Sequence, residues 1–178
     1  MNQALLDFYR GQAPDLSGRF IQELWAQNDD ELEGCHDYIQ WLFPSAQPSK
    51  FNAQAPLLDE ETVAAFRADD NLKARLLTSL ELMLPFFGLQ VTIGDDMKPV
   101  VGKAANYDER EANWHEAPKE GYLNHNLLRL TRILEALRVL GLPEYALALF
   151  KCLEAIQQED PENIPAKTLG FWRQAAGA

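Results

Sequence analysis

The spacing of apolar residues constrains this fold most, because it follows the period of an α-helix along nearly the whole chain. The clearest example lies between residues 124 and 141, where leucines recur every three or four positions along one side. They are Leu127, Leu130, Leu134 and Leu137. Other apolar residues cover much of the remaining circumference, so this helix is predicted to lie at the centre of a core. No alternating run is long enough to predict a dependable sheet.

The pattern predicts an all-α fold, an orthogonal bundle of about seven to eight helices with at most one short irregular β-ribbon near residues 90–103. We expect a single domain over residues 1–178, because the connections are short and no low-complexity linker divides the chain. Within it, residues 157–178 are predicted to form a C-terminal linker and a short helix. That helix docks through Leu169, Phe171 and Trp172.

Polar residues, glycines and prolines mark the predicted helix ends. Ser17 is placed to cap a helix that contains Phe20. Asp30 and Glu33 fit a capping box that opens a longer helix, which Pro44 ends. Further boundaries are predicted at N-caps Asp59 and Asn124, at a start on Asp69 or Asp70, at a kink on Pro85 before an end at Gly88, and at Pro143 as a first helical residue.

Composition and charge restrict the class of protein. The chain of 178 residues is 47% hydrophobic and has a formal net charge of −11. Residues 1–60 hold ten acidic and three basic residues, and such a surface repels nucleic-acid phosphates, so we expect no nucleic-acid partner. No run of about 18 apolar residues predicts a transmembrane helix, and the first residues lack a secretion signal. With two cysteines, Cys35 and Cys152, we expect buried thiols in a reduced, cytoplasmic protein.

One group of polar residues lies at His36, Asp37, Gln40 and Trp41. On the predicted helix, His36 and Gln40 lie one turn apart, as do Asp37 and Trp41. Neighbours on a helix point about 100° apart, so Cys35 and His36 do not pair as nucleophile and base through adjacency alone. The group is therefore a candidate ligand-binding surface.

A second group lies at Asn124, His125, Arg129 and Arg132. The last three are separated by four and three positions, so they share one face of the most apolar helix. Arginines in such a place must reach water or find carboxylates, because an unpaired buried charge is very costly. This pair of arginines marks the second half of the candidate site.

Three interpretations of these groups stay open. In the first they form a structural network, in which Arg129 or Arg132 pairs with Asp37 or a nearby glutamate and both histidines satisfy backbone carbonyls. In the second the arginines clamp a carboxylate or phosphate, and the histidines add donors. In the third a histidine acts as a general base in catalysis.

Several segments, taken in order, point to a known family. The most distinctive is the stretch HDYIQWLFP at residues 36–44, which follows Pro14-Asp15 and Gly18-Arg19. Phe51-Asn52 comes next, and the run NHNLLRLTRIL lies at residues 124–134. Over roughly residues 14–156, these segments resemble the opioid growth factor receptor conserved region. Asn52, in one of them, completes the set of candidate ligand-binding residues.

The resemblance implies an opioid peptide receptor activity. The animal receptor of that family is described as binding methionine enkephalin, associating with the nuclear envelope and restraining cell proliferation. Those properties belong to a longer protein with a nuclear-targeting region and C-terminal repeats. Here no Lys/Arg run and no repeat follow residue 142, so we expect a short, stand-alone, bacterial homologue in the cytoplasm.

The leading hypothesis is a binding module that takes a short peptide or a small anionic ligand. Its groove would be lined by Trp41, Phe51 and the helix face that carries Arg129 and Arg132. No cofactor and no metal are predicted, the oligomeric state is left open, and we expect a binding role rather than an enzyme. One alternative is an enzyme for a small anionic substrate with a histidine as general base. The other is a protein-interaction scaffold.

Overall fold

A computed structural model describes residues 1–49, 52–114 and 124–178. Within these ranges the chain forms ten α-helices, one 3₁₀ turn and one two-stranded antiparallel sheet. The predicted fold class, mostly α-helical with a short β-ribbon, is confirmed. The chain divides into two compact units, which are Met1–Leu82 and Met83–Ala178. A single domain over residues 1–178 stays a prediction.

The first unit is built from short helices at its start and longer ones at its end. They are α1 (Gln3–Tyr9), α2 (Ile21–Trp25), α3 (Asp29–Gly34), α4 (Ile39–Leu42), α5 (Glu60–Ala68) and α6 (Asp70–Phe86), the last of which ends in the second unit. Its core is aromatic. The rings of Tyr9 and Phe66 meet edge to face at 4.7 Å, and those of Phe8 and Trp41 at 5.0 Å. The Tyr9 hydroxyl donates to the carbonyl of Leu42, which satisfies its polar end inside the core.

Asp59 caps α5, as predicted. Its carboxylate accepts from the backbone N–H of Thr62 at 2.8 Å and pairs with the α-amino group of Met1 at 2.8 Å. The α-amino group contributes most to lowering the pKa of Asp59 to about 2, and the Thr62 bonds add to it. The next helix, α6, begins at Asp70, one of the two predicted positions.

Two predicted caps are wrong. Phe20, not Ser17, is the N-cap of α2, and the Glu23 carboxylate accepts from its backbone N–H at 2.6 Å. The hydroxyl of Ser17 instead bonds a carboxylate of another segment. For α3 the capping box is Asn28 with Glu31, two positions earlier than predicted. The α3 box has the predicted chemistry in another register, whereas Phe20 caps α2 without a side-chain bond of its own.

The long helix predicted to run to Pro44 is wrong, and so is the count of seven to eight helices. Helix α3 ends at Gly34, Cys35 is extended with φ −103° and ψ 136°, and α4 begins at Ile39. Glycine weakens a helix locally. The Cys35–Asp37 link is then held by side-chain bonds to the segment before α2. Cys35 is half-buried rather than buried, whereas Cys152 is buried as predicted.

The second unit contains the ribbon and the remaining helices. Strand β1 (Leu89–Ile93) pairs antiparallel with β2 (Pro99–Lys103), with Val91 opposite Val101. The helices are α7 (Tyr107–Arg110), which the 3₁₀ turn Glu111–Asn113 follows, α8 (His125–Val139), α9 (Pro143–Glu159) and α10 (Ala166–Ala176). Pro143 is the first residue of α9 and Asn124 caps α8, both as predicted.

Side chains from the segment after β2 satisfy the C-terminal carbonyls of α6. Asn106 donates to the carbonyl of Pro85 at 3.1 Å, Arg110 to that of Phe86 at 2.9 Å, and Trp114 to that of Phe87 at 3.1 Å. The last carbonyls of a helix have no partners within it, so these bonds replace water there. The chain then leaves α6 through Gly88, whose φ is +71° and whose missing side chain leaves room for the Tyr107 backbone.

Helices α8, α9 and α10 pack on one another. The fully buried Trp172 of α10 donates from its indole N–H to the carbonyl of Leu127 at 3.2 Å. Phe171 does not dock as predicted, because it lies one position away on the helix and its ring is 45% exposed. Burial raises the pKa of the Cys152 thiol on α9 to about 11. No described helix combines the length and apolarity needed to cross a membrane.

Candidate functional site

Asp15 organises the loop between α1 and α2. Its side chain is 1% exposed, and its Oδ1 accepts the backbone N–H groups of Ser17 and Arg19, both at 2.9 Å. The backbone N–H of Asp15 donates to the Arg19 carbonyl at 2.8 Å. Gly18, with φ +82°, allows the turn to close. The loop thereby fixes the positions from which the Ser17 and Arg19 side chains extend.

The Arg19 guanidinium bridges two carboxylates and a thiol. Its Nη2 lies 2.6 Å from Asp15 Oδ2 and 2.7 Å from Asp37 Oδ1. Its Nη1 lies 3.1 Å from Cys35 Sγ, which in turn donates to Asp37 Oδ1 at 2.9 Å. The Ser17 hydroxyl donates to the second Asp37 oxygen at 2.8 Å. We call Asp15, Ser17, Arg19, Cys35 and Asp37 the Arg19 cluster.

Burial opposes both charged forms in the Arg19 cluster, and hydrogen bonding outweighs it. Burial lowers the pKa of Arg19, but bonds to Asp15, Asp37 and Cys35 raise it above its ordinary value. Burial raises the pKa of Asp37, but bonds from Cys35, Ser17 and Arg19 bring it down to about 2. Both groups are therefore ionised at neutral pH, and the cluster holds two loop segments together by charge-assisted bonds.

A depression of about 500 Å³ lies beside this cluster. Its lining is Leu16, Ser17, Gly34, Cys35, His36, Asp37, Trp41, Asn52 and Gln54. The Leu16 side chain is 66% exposed, and His36 is exposed, whereas only 6% of Trp41 reaches the surface. The depression therefore places apolar surface next to an ionised carboxylate and two amides, a lining suited to a small amphipathic ligand.

Four of the sequence-selected residues meet at this depression: His36, Asp37, Trp41 and Asn52. The fifth member from this part of the chain, Gln40, is 5% exposed on α4 and does not line it. Phe51, which the sequence places in the groove, lies outside the described residues. His36 does not share a helix with Trp41, because the helix is interrupted before Ile39.

The second polar group ties the start of α8 to the 3₁₀ turn. Asn124 caps α8 by accepting from the Asn126 N–H at 2.9 Å and donates to the Asn113 carbonyl at 3.1 Å. Asn126, which is fully buried, donates to the same carbonyl at 3.0 Å. Its amide oxygen accepts from Arg129 Nη1 at 3.1 Å. We call Asn113, Asn124, Asn126 and Arg129 the Asn126 cluster.

Arg129 and Arg132 differ in exposure although they share a helix face. Arg129 is 4% exposed, and its guanidinium lies 5.8 Å from the centre of the Phe86 ring. Arg132 is half-buried, and burial lowers its pKa, which Glu135 partly counteracts. His125, the first residue of α8, is also half-buried. Arg129 bonds the Asn126 amide, whereas the structural interpretation pairs an arginine with a carboxylate, and both that interpretation and a ligand role for these three residues stay predictions.

The two polar groups belong to different units, the first to Met1–Leu82 and the second to Met83–Ala178. That they line one feature stays a prediction. The arginine that pairs with Asp37 among the described residues is Arg19. Among the residues placed in the structure, no three His, Cys, Asp or Glu side chains come together in a way that could hold a metal ion.

The family model of the opioid growth factor receptor (OGFr) conserved region matches residues 2–176. The chain belongs to this family. The family match extends beyond residues 14–156, over which the sequence resembles it, and reaches into α10.

Two curated relatives illustrate the family. The human (Homo sapiens) "Opioid growth factor receptor" is 38% identical over 152 residues, which cover 82% of this chain and 21% of that protein. The mouse (Mus musculus) "Opioid growth factor receptor-like protein 1" is 31% identical over 173 residues, which cover 94% of this chain and 35% of that protein. This chain thus spans a fifth to about a third of these relatives. No solved structure matches it.

This OGFr-family chain has a second, larger depression of about 890 Å³ in the first unit. Its lining runs along α5 and is mainly apolar: Ala46, Leu58, Asp59, Glu60, Val63, Ala64, Arg67 and Ala68. None of the sequence-selected residues lies there. Size alone therefore does not identify the functional site, and the smaller depression has the more varied chemistry.

The sequence analysis missed Arg19, the centre of the first polar cluster. Two signals could have found it. It is one of only three basic residues among the first 60, so nearby acids have few partners. It also lies in the segment Gly18-Arg19, which resembles the OGFr conserved region. Neither signal gives its partners, since Cys35 and Asp37 follow it by 16 and 18 residues.

Proposed function

We propose that this chain is a peptide-binding module, and that the 500 Å³ depression beside the Arg19 cluster is its site. One observation supports the proposal most: the depression combines exposed apolar surface from Leu16 with an ionised Asp37 and the amides of Asn52 and Gln54. A short peptide presents the same mixture of apolar side chains, charged ends and backbone hydrogen-bonding groups.

The Arg19 cluster makes this surface ready for a ligand. Ser17, Arg19 and Cys35 hold the Asp37 carboxylate in place. His36, the residue before Asp37, lies in the same wall of the depression. Ordering a loop on binding costs free energy, so a wall that is already ordered supports tighter binding. The names of the relatives, which describe receptors for an opioid growth factor, suggest that the ligand class is a short peptide.

Calorimetry with a panel of short peptides, methionine enkephalin among them, tests the proposal. For any peptide that binds, His36→Ala and Asn52→Ala should each weaken binding about tenfold, a loss of about 1.4 kcal/mol. Asn71→Ala is the matched control, because Asn71 is an exposed amide of the same unit outside the depression. If a peptide binds both variants as tightly as it binds the parent, the proposed site is wrong. If no peptide binds the parent, the proposed function is wrong.

Two further expectations are tested with the same panel. If α8 provides an anion clamp, small carboxylates and phosphates should bind, and Arg132→Met should weaken them more than it weakens the peptides. If His36 or His125 is a general base instead, small anionic substrates should be converted to products detectable by mass spectrometry, and His36→Ala or His125→Ala should abolish the conversion. A cytoplasmic location stays a prediction from the two free cysteines.

A further inference from the structure

The larger depression of the first unit has a rim whose charges are arranged along α5. Glu60 lies at the beginning of the helix and Arg67 seven positions later, and both are exposed. Seven residues make nearly two turns, so the two side chains lie on one line about 10 Å apart along the axis. Between them lie Val63 and Ala64, which line the depression. Along one stripe of α5, an acidic side chain is therefore followed by small apolar side chains and then by a basic side chain.

This stripe is complementary to itself when it is turned end for end. Placed antiparallel to an identical helix, Glu60 meets Arg67 of the second copy, and Arg67 meets its Glu60. The midpoint falls between Val63 and Ala64, so small apolar side chains face one another at the centre. Such mutual pairing of one patch with itself is what a two-fold symmetric contact requires. A parallel arrangement would oppose like charges.

We propose that the α5 face is a contact between two copies of this chain, arranged antiparallel with Glu60 of each against Arg67 of the other. The apolar walls, Ala46, Leu58 and Ala68, then receive the helix of the second copy. The small side chains of Ala46 and Ala68 allow the close approach that helix packing needs. This inference does not rest on the proposed peptide-binding function, since the two depressions have no lining residue in common.

The size of the contact sets its strength. Nine residues of helix extend about 14 Å, so the buried area falls below that of a standard stable interface. The net charge of −11 on each copy adds repulsion. We therefore expect a weak, concentration-dependent dimer that forms towards millimolar protein rather than a permanent one.

Sedimentation equilibrium of the full chain and of three charge variants tests the contact. Glu60→Arg and Arg67→Glu should each weaken dimer formation at least about tenfold, because each opposes like charges across the axis. The double variant Glu60→Arg, Arg67→Glu should restore it. An equimolar mixture of the two single variants should also associate, because one then carries two bases and the other two acids. Lys151→Glu, which makes the same charge change as Arg67→Glu but on α9, should have no such effect.

The pattern of these results decides between a specific contact and net charge. Dimer formation that the single variants lose and the mixture regains supports the proposal. A parent chain that stays monomeric at millimolar concentration overturns it, whether the face is open to water or binds another protein. Equal association of the parent and both single variants overturns it as well. Circular dichroism of each variant shows that α5 is still folded.

Discussion

The two polar clusters differ in the described groups that contact their arginine. In the first unit, the Arg19 guanidinium lies between two carboxylates, and its side chain and that of Asp37 stay partly open to solvent. In the second unit, Arg129 is 4% exposed and bonds the neutral amide of Asn126 beside the Phe86 ring. The first cluster borders a depression, whereas the second ties the turn Glu111–Asn113 to the start of α8.

A polar group on an apolar background is therefore not one kind of signal. An arginine that keeps access to water can shape the wall of a site, and the carboxylate that it contacts can still respond to pH. An arginine buried among amides and an aromatic ring serves mainly to satisfy the groups around it. Both arginines lie in segments that resemble the OGFr conserved region, and only their surroundings distinguish them.

The largest expected effect tests the centre of the first cluster. Asp15→Ala should lower the free energy of unfolding by about 3 kcal/mol, because two backbone N–H groups lose their acceptor and the partly exposed Arg19 guanidinium loses one of its carboxylates. Urea denaturation measures the loss. Hydrogen exchange followed by mass spectrometry should show faster exchange at residues 15–19 and 35–37, with the second unit unchanged.

The matched control is Asp30→Ala, which removes an exposed carboxylate from the first turn of α3. It should cost no more than about 0.5 kcal/mol. Equal costs for Asp15→Ala and Asp30→Ala would mean that the Arg19 cluster does not hold the loop.

A smaller effect is expected from the buried amide of the second cluster. Asn126→Ala should cost about 2 kcal/mol, because the Arg129 guanidinium loses an acceptor and the Asn113 carbonyl loses one of its two donors. Exposed Asn71→Ala should be nearly neutral. Urea denaturation again gives the values. A cost for Asn126→Ala as small as that of Asn71→Ala would remove the structural interpretation and leave the ligand clamp as the better account of Arg129.

Local chemistry explains which parts of the fold could be predicted from sequence. The caps at Asp59 and Asn124 and the start of α9 at Pro143 depend on residues within one turn, and all three are confirmed. The end of α3 could not be predicted in this way. Its helical pattern continues past Gly34, but the extended Cys35 is held by Arg19, which lies 16 residues earlier. Such contacts depend on the closed loop around Asp15, and the spacing of apolar residues along the sequence does not indicate them.

The candidate site shows the same limit. His36, Asp37, Trp41 and Asn52 were selected from sequence, and the structure places them around one depression. That they bind a ligand stays a prediction. Gln40 lies four positions after His36, the spacing of one helical turn, but it is buried. The helix that would align the two side chains does not exist, because α4 begins only at Ile39. Spacing arguments fail where the assumed helix does not exist.

The pH dependence of stability distinguishes the two clusters, and its expected size is the smallest of the three. Asp37 has a pKa of about 2 in the folded chain against an ordinary value of 3.8. Its contribution to stability is therefore complete above about pH 4 and is lost as the pH falls through about 2, because the unfolded chain binds the proton first. With 43% of the Asp37 side chain exposed, screening reduces this contribution to about 1 kcal/mol. Substitution of Asn126 removes no titrating group, because its described bonds are those of an amide.

Urea denaturation of the parent and of Asp37→Asn at several pH values between 5 and 2 measures this contribution. The advantage of the parent over Asp37→Asn should shrink by about 1 kcal/mol across this window, while its advantage over Asn126→Ala should stay constant. Asp59 has a similarly lowered pKa, so only the difference between variants, not the slope of the parent alone, reports on Asp37. If the difference between the parent and Asp37→Asn does not change with pH, the Asp37 carboxylate is not stabilised by Arg19. The wall of the proposed peptide site would then be held without a contribution from the Asp37 charge.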